Sequence, residues 1–248
     1  SVVKNFALKF DKDFDEDLEI ELNNVAFRAP SNTACFDFSG VLNKNIKVNI
    51  NYNGKNYLEG GGGTAAQGVF NAEGIDLGII GSTGAELVVR GGNGADGASA
   101  GASGSNGATA IIAKNLTINT FGMLEVYGGQ GGTGKNNDQN NWQSNDKRYG
   151  GKGGKGGTAI VCAELKSNDN VNISIQGGAG GNGGYAYKTL NNAGAGGNGG
   201  DGDVGVKYSV SISTANVTIK GGNGGNGGGA QDWNAWGGDG QKGSNGSR

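Results

Sequence analysis

Glycine recurs at every third residue along much of this chain, and few folds tolerate that phase. It holds 128, 131 and 134, then 150, 153 and 156; 177, 180 and 183, then 194, 197 and 200; and 221, 224 and 227, then 237, 240, 243 and 246. A second glycine phase often runs beside the first, as at 178, 181 and 184. The remaining position carries Asn, Lys, Asp, Gln, Ala or Thr. A polyproline-II-type helix has three residues per turn and rises ~3.1 Å per residue. With glycine at two of every three positions, two faces of such a helix are bare, so backbones can approach closely. An arm of eight residues would span ~25 Å, and its amides must be paired laterally, because unpaired backbone groups are costly when buried. Collagen needs abundant proline, and Pro30 is the only one beside 55 glycines in 248 residues. A flexible linker needs no phase at all. The phase here holds on both sides of variable insertions, which predicts ordered arms nucleated by neighbouring strands.

From Gly60 onward the chain repeats one order: a strand pair, a glycine arm, a variable tip, a second glycine arm. The first arms start at Gly91, Gly128, Gly177 and Gly221, and successive starts lie 37, 49 and 44 residues apart. The segments just before them end Glu-Leu-Val-Val-Arg, Met-Leu-Glu-Val-Tyr, Asn-Ile-Ser-Ile-Gln and Asn-Val-Thr-Ile-Lys. Apolar residues at two-residue spacing, such as Val171, Ile173 and Ile175, predict half-buried strands. Each is preceded by another expected strand, such as 110–118 or 204–212. Stacked one rung per repeat, these would form a ladder as in a β-solenoid. Residues 1–58 have few glycines and alternate instead: Phe6, Leu8 and Phe10; Leu18, Ile20 and Leu22; Ile46, Val48 and Ile50. The reading is therefore an all-β and irregular chain: a β module over 1–58, then a glycine-rich repeat domain over 59–248 in which a strand ladder carries stacked polyglycine-II arms and loop tips.

The Gly-Gly-X arms around variable tips resemble the polyglycine-II sandwich of T-even-like phage tail-tip adhesins. There, glycine arms form the body and hypervariable tips bind the host receptor. The order Thr-Ala-Ile-Val, polar strand, Ile-Gln-Gly-Gly-Ala-Gly-Gly-Asn-Gly-Gly is also similar to glycine-rich repeats in large cell-surface proteins of low-GC gut bacteria. The resemblance covers residues 60–248 in architecture and composition only. It implies an extracellular or cell-surface location, or a phage tail tip. The longer strands and the β-rich first quarter depart from the phage pattern.

The tips are Ala98–Ser103, Lys135–Tyr149, Tyr185–Ala193 and Ala230–Trp236. They carry Trp142, Tyr149, Tyr185, Tyr187, Asp232, Trp233 and Trp236, including every tryptophan of the chain. Loops on a rigid scaffold concentrate binding residues, and aromatic faces beside amides and carboxylates suit sugar rings or protein receptors. The same aromatics would equally serve as a cap on the glycine stack, supplying apolar burial that glycine cannot. Asp11, Asp13 and Asp15, followed by Asp17, alternate as weak calcium candidates. On a strand they would form one solvated face, which is the reading favoured here. Gly91–Asp96 matches the start of a calcium-binding nonapeptide repeat, but only once. Cys35 and Cys162 sit in apolar, strand-like contexts and are expected to be buried free thiols.

A net charge of −2 argues against nucleic acid, and no apolar run approaches the ~18 residues of a membrane span. There is no histidine, which removes His-based acid–base chemistry and most zinc sites. Neither enzyme activity nor a cofactor is expected. The first functional expectation is an adhesin whose tips engage a surface glycan or a receptor protein. The second is a structural subunit of a surface layer or filament, self-associating where the last return arm, 237–246, leaves the ladder open. The third is ice binding by a flat glycine stack.

Overall fold

The computed structural model describes residues 2–137, 149–168, 172–186, 195–213, 217–230 and 240–247. Its regular structure is all β, without a helix among the described residues, and so with none long and apolar enough to cross a membrane. The chain winds in circuits. The first lays down β1 (Lys4–Asn5), β2 (Leu8–Lys9) and β3 (Leu18–Asn23); the second, β4 (Ala26–Arg28), β5 (Phe36–Asp37) and β6 (Lys47–Asn53). Next come β7 (Lys55–Glu59), β8 (Phe70–Ala72) and β9 (Asp76–Gly81), then β10 (Glu86–Arg90), β11 (Ile111–Ala113) and β12 (Asn115–Thr120). The later circuits have fewer strands: β13 (Met123–Tyr127) with β14 (Ile160–Ser167), β15 (Asn172–Gln176) with β16 (Val206–Ser213), and β17 (Val217–Lys220).

Every strand pairs in parallel with its counterpart one circuit on. One sheet runs β1-β4-β7-β10-β13-β15-β17. The other holds two ladders, β2-β5-β8-β11 and β3-β6-β9-β12, which meet on the long β14 and continue to β16. In the earlier circuits a corner separates those two ladders. It is marked by Ile75, Lys114 and Ala163, whose backbones bond in sequence (Lys114 N to Ile75 O, 2.9 Å; Ala163 N to Lys114 O, 2.7 Å). By β14 the corner has shrunk to a register shift between Cys162 and Glu164. The strand expected over 110–118 is therefore two strands broken at Lys114, because periodicity does not report a corner.

Like residues stack over like. Phe36, Phe70, Ile111, Ile160 and Val206 share one register position. Leu58, Val89, Val126 and Ile175 share another. Val48, Leu77, Leu116 and Leu165 share a third. These positions face one common interior, where nearly all are fully buried. Aligned cross-strand contacts of this kind are the unit of sheet stabilisation. Where Tyr52 meets Gly81 in register, the missing side chain leaves room for the phenol, which reaches Thr120 Oγ1 and Met123 O. Both cysteines are free and buried, as expected. Burial pushes the Cys35 thiol up to about 12 and Cys162 up to about 11, so neither carries thiolate at neutral pH.

The first quarter belongs to the same two sheets. The ladders pass across residue 58 without a break, and β7 itself spans it. The boundary read from composition marks where glycine begins to dominate. Phe6, Leu8 and Phe10 do not share one strand. The chain turns between β1 and β2, so Phe6 and Phe10 pack on the core while Leu8 is exposed.

Over the first five circuits the segment between the first and second strand lengthens, from residues 6–7 to 29–35, 60–69, 91–110 and 128–159, and the sixth has 177–205. The longer ones are the glycine arms, and their amides are accounted for in threes. The first glycine of each triplet bonds to the same layer one circuit on: Gly128, Gly131 and Gly134 donate to Gln176, Ala179 and Asn182 carbonyls at 2.8 to 2.9 Å. The second crosses between outgoing and returning arms. One such chain runs from Ala95 through Ser105, Gly132, Gly154, Gly181, Gly200 and Gly225 to Gly243, each N–H donating to the carbonyl before it. Where the previous circuit offers Asn, Asp or Ser at that place, the third amide takes its side-chain acceptor. Asn93 Oδ1 accepts from Gln130 N, Asn106 from Lys155 N, Asn182 from Asn226 N and Asn198 from Gln241 N, at 2.9 to 3.0 Å. The polar third position therefore also pairs backbone.

Asp201 holds one of these positions. The Ser244 N–H and hydroxyl, both 2.8 Å from Asp201 Oδ1, keep that carboxyl below its usual range. A carboxylate depressed by folding adds stability above its unfolded pKa and loses it as pH falls through the folded value. Asp201→Asn keeps an acceptor but cannot titrate, so its melting temperature should fall less between pH about 7 and 3 than that of the parent. Calorimetry across that range checks this; parallel pH profiles for the two proteins would contradict it.

Candidate functional site

The described stems of the tips lie together. Gly97 N bonds Thr133 O, Gly101 N bonds Asn136 O, Asn137 N bonds Tyr185 O, and Ala186 N bonds Gly229 O, at 2.9 to 3.0 Å. These bonds tie the stems of all four tips to one end of the arm stack. Tyr185 is fixed there by its own N–H, which donates to Asn136 Oδ1 at 2.8 Å. Its side chain is 54% exposed, yet its ring also lies over the bare Cα of Gly229, where an added Cβ would meet Cε1 at 2.7 Å. Tyr149, 56% exposed, precedes Gly150, whose backbone rests on the carbonyl of Gly184. The two exposed tyrosines thus sit on neighbouring chain ends. Trp142, Tyr187, Asp232, Trp233 and Trp236 lie outside the described residues.

The acidic run takes a different form from the one expected. Residues 11–17 are bends, not strand. Asp13 Oδ1 caps the N–H groups of Leu42 and Asn43 at 2.6 and 2.9 Å, and Asp17 Oδ1 takes Lys47 N at 2.7 Å. Asp11, Asp13 and Asp15 do not converge, and among the described residues no three acidic or cysteine side chains are arranged to hold a metal ion. Asp13 and Asp17 thus end strand approaches by capping free amides.

A second concave surface was not foreseen. Where the outer face of the first sheet turns into the outgoing arms lies a groove of about 360 Å³. One wall is the row Arg28, Glu59, Arg90, Tyr127 and Gln176, which share one register position on adjacent strands. The other wall carries Asn93, Gln130 and Ala179 from the arms, and glycines form the floor. Glu59 Oε2 accepts from Arg28 Nη2 at 2.7 Å, from Arg28 Nε at 2.9 Å and from the Tyr57 hydroxyl at 2.8 Å. The Glu59 hydrogen bond raises the Arg28 pKa further. Burial first, then Glu59, pushes the Tyr57 phenol up; burial and Glu125 do the same for Tyr127. Both phenols therefore stay protonated donors at neutral pH. Arg90 lies over the Tyr127 ring, its guanidinium carbon 4.6 Å from the centroid, and pairs with no carboxylate among the described residues. The signal was present in the sequence: Glu59, Arg90, Tyr127 and Gln176 each immediately precede a glycine segment. It was read only as the end of a strand.

In comparisons with known proteins, the chain matches no family model, no curated protein and no solved structure.

Proposed function

We propose that the protein is a non-enzymatic, adhesin-like scaffold of the cell exterior or cell surface. In this reading the strand circuits are a β-solenoid, and the glycine segments are polyglycine-II helices. Their rigidity holds four loop tips side by side against a surface glycan or receptor protein. The observation that carries the reading is the in-register bonding of the described tip stems at one end of the glycine stack. A loop cluster on a stiff body is a common design for recognition. The exposure of Tyr149 and Tyr185 at that end is in keeping with it. A structural subunit is the second reading. It is favoured by β16 and β17, each of which pairs on one side only among the described residues.

Screening labelled protein against arrayed glycans and surface proteins tests the first reading. The combined change Trp142→Ala, Trp233→Ala and Trp236→Ala should weaken any captured partner by more than about tenfold, with the melting temperature unchanged. Full retention of binding by that variant would overturn the tip assignment. Concentration-dependent elongation of the same samples, without partner binding, would favour the structural subunit.

A further inference from the structure

We propose that the groove at the base of the outgoing arms is a binding site for a linear, carboxylate-bearing oligosaccharide. The site is separate from the tips and does not depend on their role. Its long wall steps from Arg28 through Glu59, Arg90 and Tyr127 to Gln176, one residue per strand. Four steps at the spacing of adjacent strands cover ~19 Å. Each step is close to the length of one hexose unit, so a tetrasaccharide crossing the strands meets one side chain per sugar.

The chemistry along that wall distinguishes a sugar from a peptide. The floor amides are already used: Gly91 N donates to Tyr127 O, Gly128 N to Gln176 O and Gly177 N to Lys220 O, at 2.9 Å. A peptide laid there would find no strand edge to extend. Nor would it find apolar pockets, since Ala179 is the only apolar side chain lining the groove apart from the tyrosine rings. What remains is side-chain amide, phenol and carboxylate, the groups that bond vicinal hydroxyls. All three contacts to Glu59 fall on Oε2, which leaves Oε1 as an acceptor for a hydroxyl.

The acidic requirement comes from Arg90. Arg28 is neutralised by Glu59, whereas Arg90 is a cation without a carboxylate partner among the described residues. A guanidinium resting on an aromatic face keeps its edge N–H groups for a planar acceptor, and a carboxylate fits them in bidentate fashion.

The test is calorimetric titration of the full chain with tetragalacturonate, its methyl ester and tetraglutamate. The acidic sugar is expected to bind; the ester and the peptide should each bind more than about tenfold more weakly. Arg90→Gln should reduce affinity for the acidic sugar by about tenfold or more. The triple tryptophan variant should leave it unchanged, which separates this site from the tips. Any of four results would overturn the proposal: no binding of the acidic sugar, equal binding of the ester, equal binding of the peptide, or undiminished binding by Arg90→Gln. Because Arg90 is exposed and only its backbone joins the ladder, the variant should fold, and an unchanged melting curve will show it.

Discussion

Replacing Gly181 with alanine should destabilise the arm stack by about 3 kcal/mol or more, although the change adds a single methyl group. The methyl carbon would lie 2.0 Å from the carbonyl oxygen of Gly132 and 2.5 Å from its carbon. Contact distance is ~3.5 Å, so the two arms must separate by about 1.5 Å. That movement cannot be local. Gly181 N donates to Gly154 O, and its own carbonyl accepts from Gly200 N, so the strain falls on a chain of bonds crossing both layers. Each buried amide left unpaired costs about 1–3 kcal/mol. The size of the effect separates an ordered arm from a flexible linker. In a linker that is flexible in both states, Gly→Ala should leave stability nearly unchanged. Asn182→Ala, one residue along at the exposed third position, removes only the Asn226 N–H contact and should cost about 1 kcal/mol. Hydrogen exchange over 128–134 and 177–184, with the melting temperature, measures both. A Gly181→Ala protein as stable as the parent would mean the arms do not pack as described.

The spacing of the strand circuits was legible in the sequence because each strand ends where a glycine segment begins. The separations of 37, 49 and 44 residues between arm starts are the separations of the paired residues Arg90, Tyr127, Gln176 and Lys220. Alternation over Leu18–Leu22 and Val48–Ile50 likewise became β3 and β6. What alternation does not carry is the identity of a strand's neighbours. The first quarter read as a separate module, yet Val48 and Leu77 occupy one ladder. Corners were invisible for a similar reason: Lys114 breaks a segment whose hydrophobic pattern runs on through it. The groove was missed because each of its residues looks ordinary alone. Only the register brings Arg28, Glu59, Arg90 and Tyr127 into one row. The aromatic tips remain a reading of composition, with Tyr149 and Tyr185 the two of its residues that the described structure places.

Phe70→Ala should lower stability by about 3–5 kcal/mol, and should do so in the strand ladders of the earlier circuits, away from Gly181. Phe70 is fully buried in β8 and stacks on Phe36 with ring centroids 5.2 Å apart. Phe36 in turn meets Phe6 at 5.1 Å, and Phe6 stacks on Phe27 at 4.5 Å. Removing the Phe70 ring takes the end from this row and leaves a cavity that rigid parallel ladders on both sides cannot close. Ile111→Val, one register step further along, deletes only one methylene and should cost about 0.5–1.5 kcal/mol. In an array whose units touch only their neighbours, stability is a sum of local and nearest-neighbour terms. The loss should therefore appear first as faster hydrogen exchange in β2, β5 and β8, while amides of 150–157 and 177–184 keep their protection. Gly181→Ala should give the reverse pattern. If both variants instead raise exchange uniformly from Phe6 to Gly246, the circuits and the arms unfold as one cooperative unit, and the ladder transmits strain along its full length.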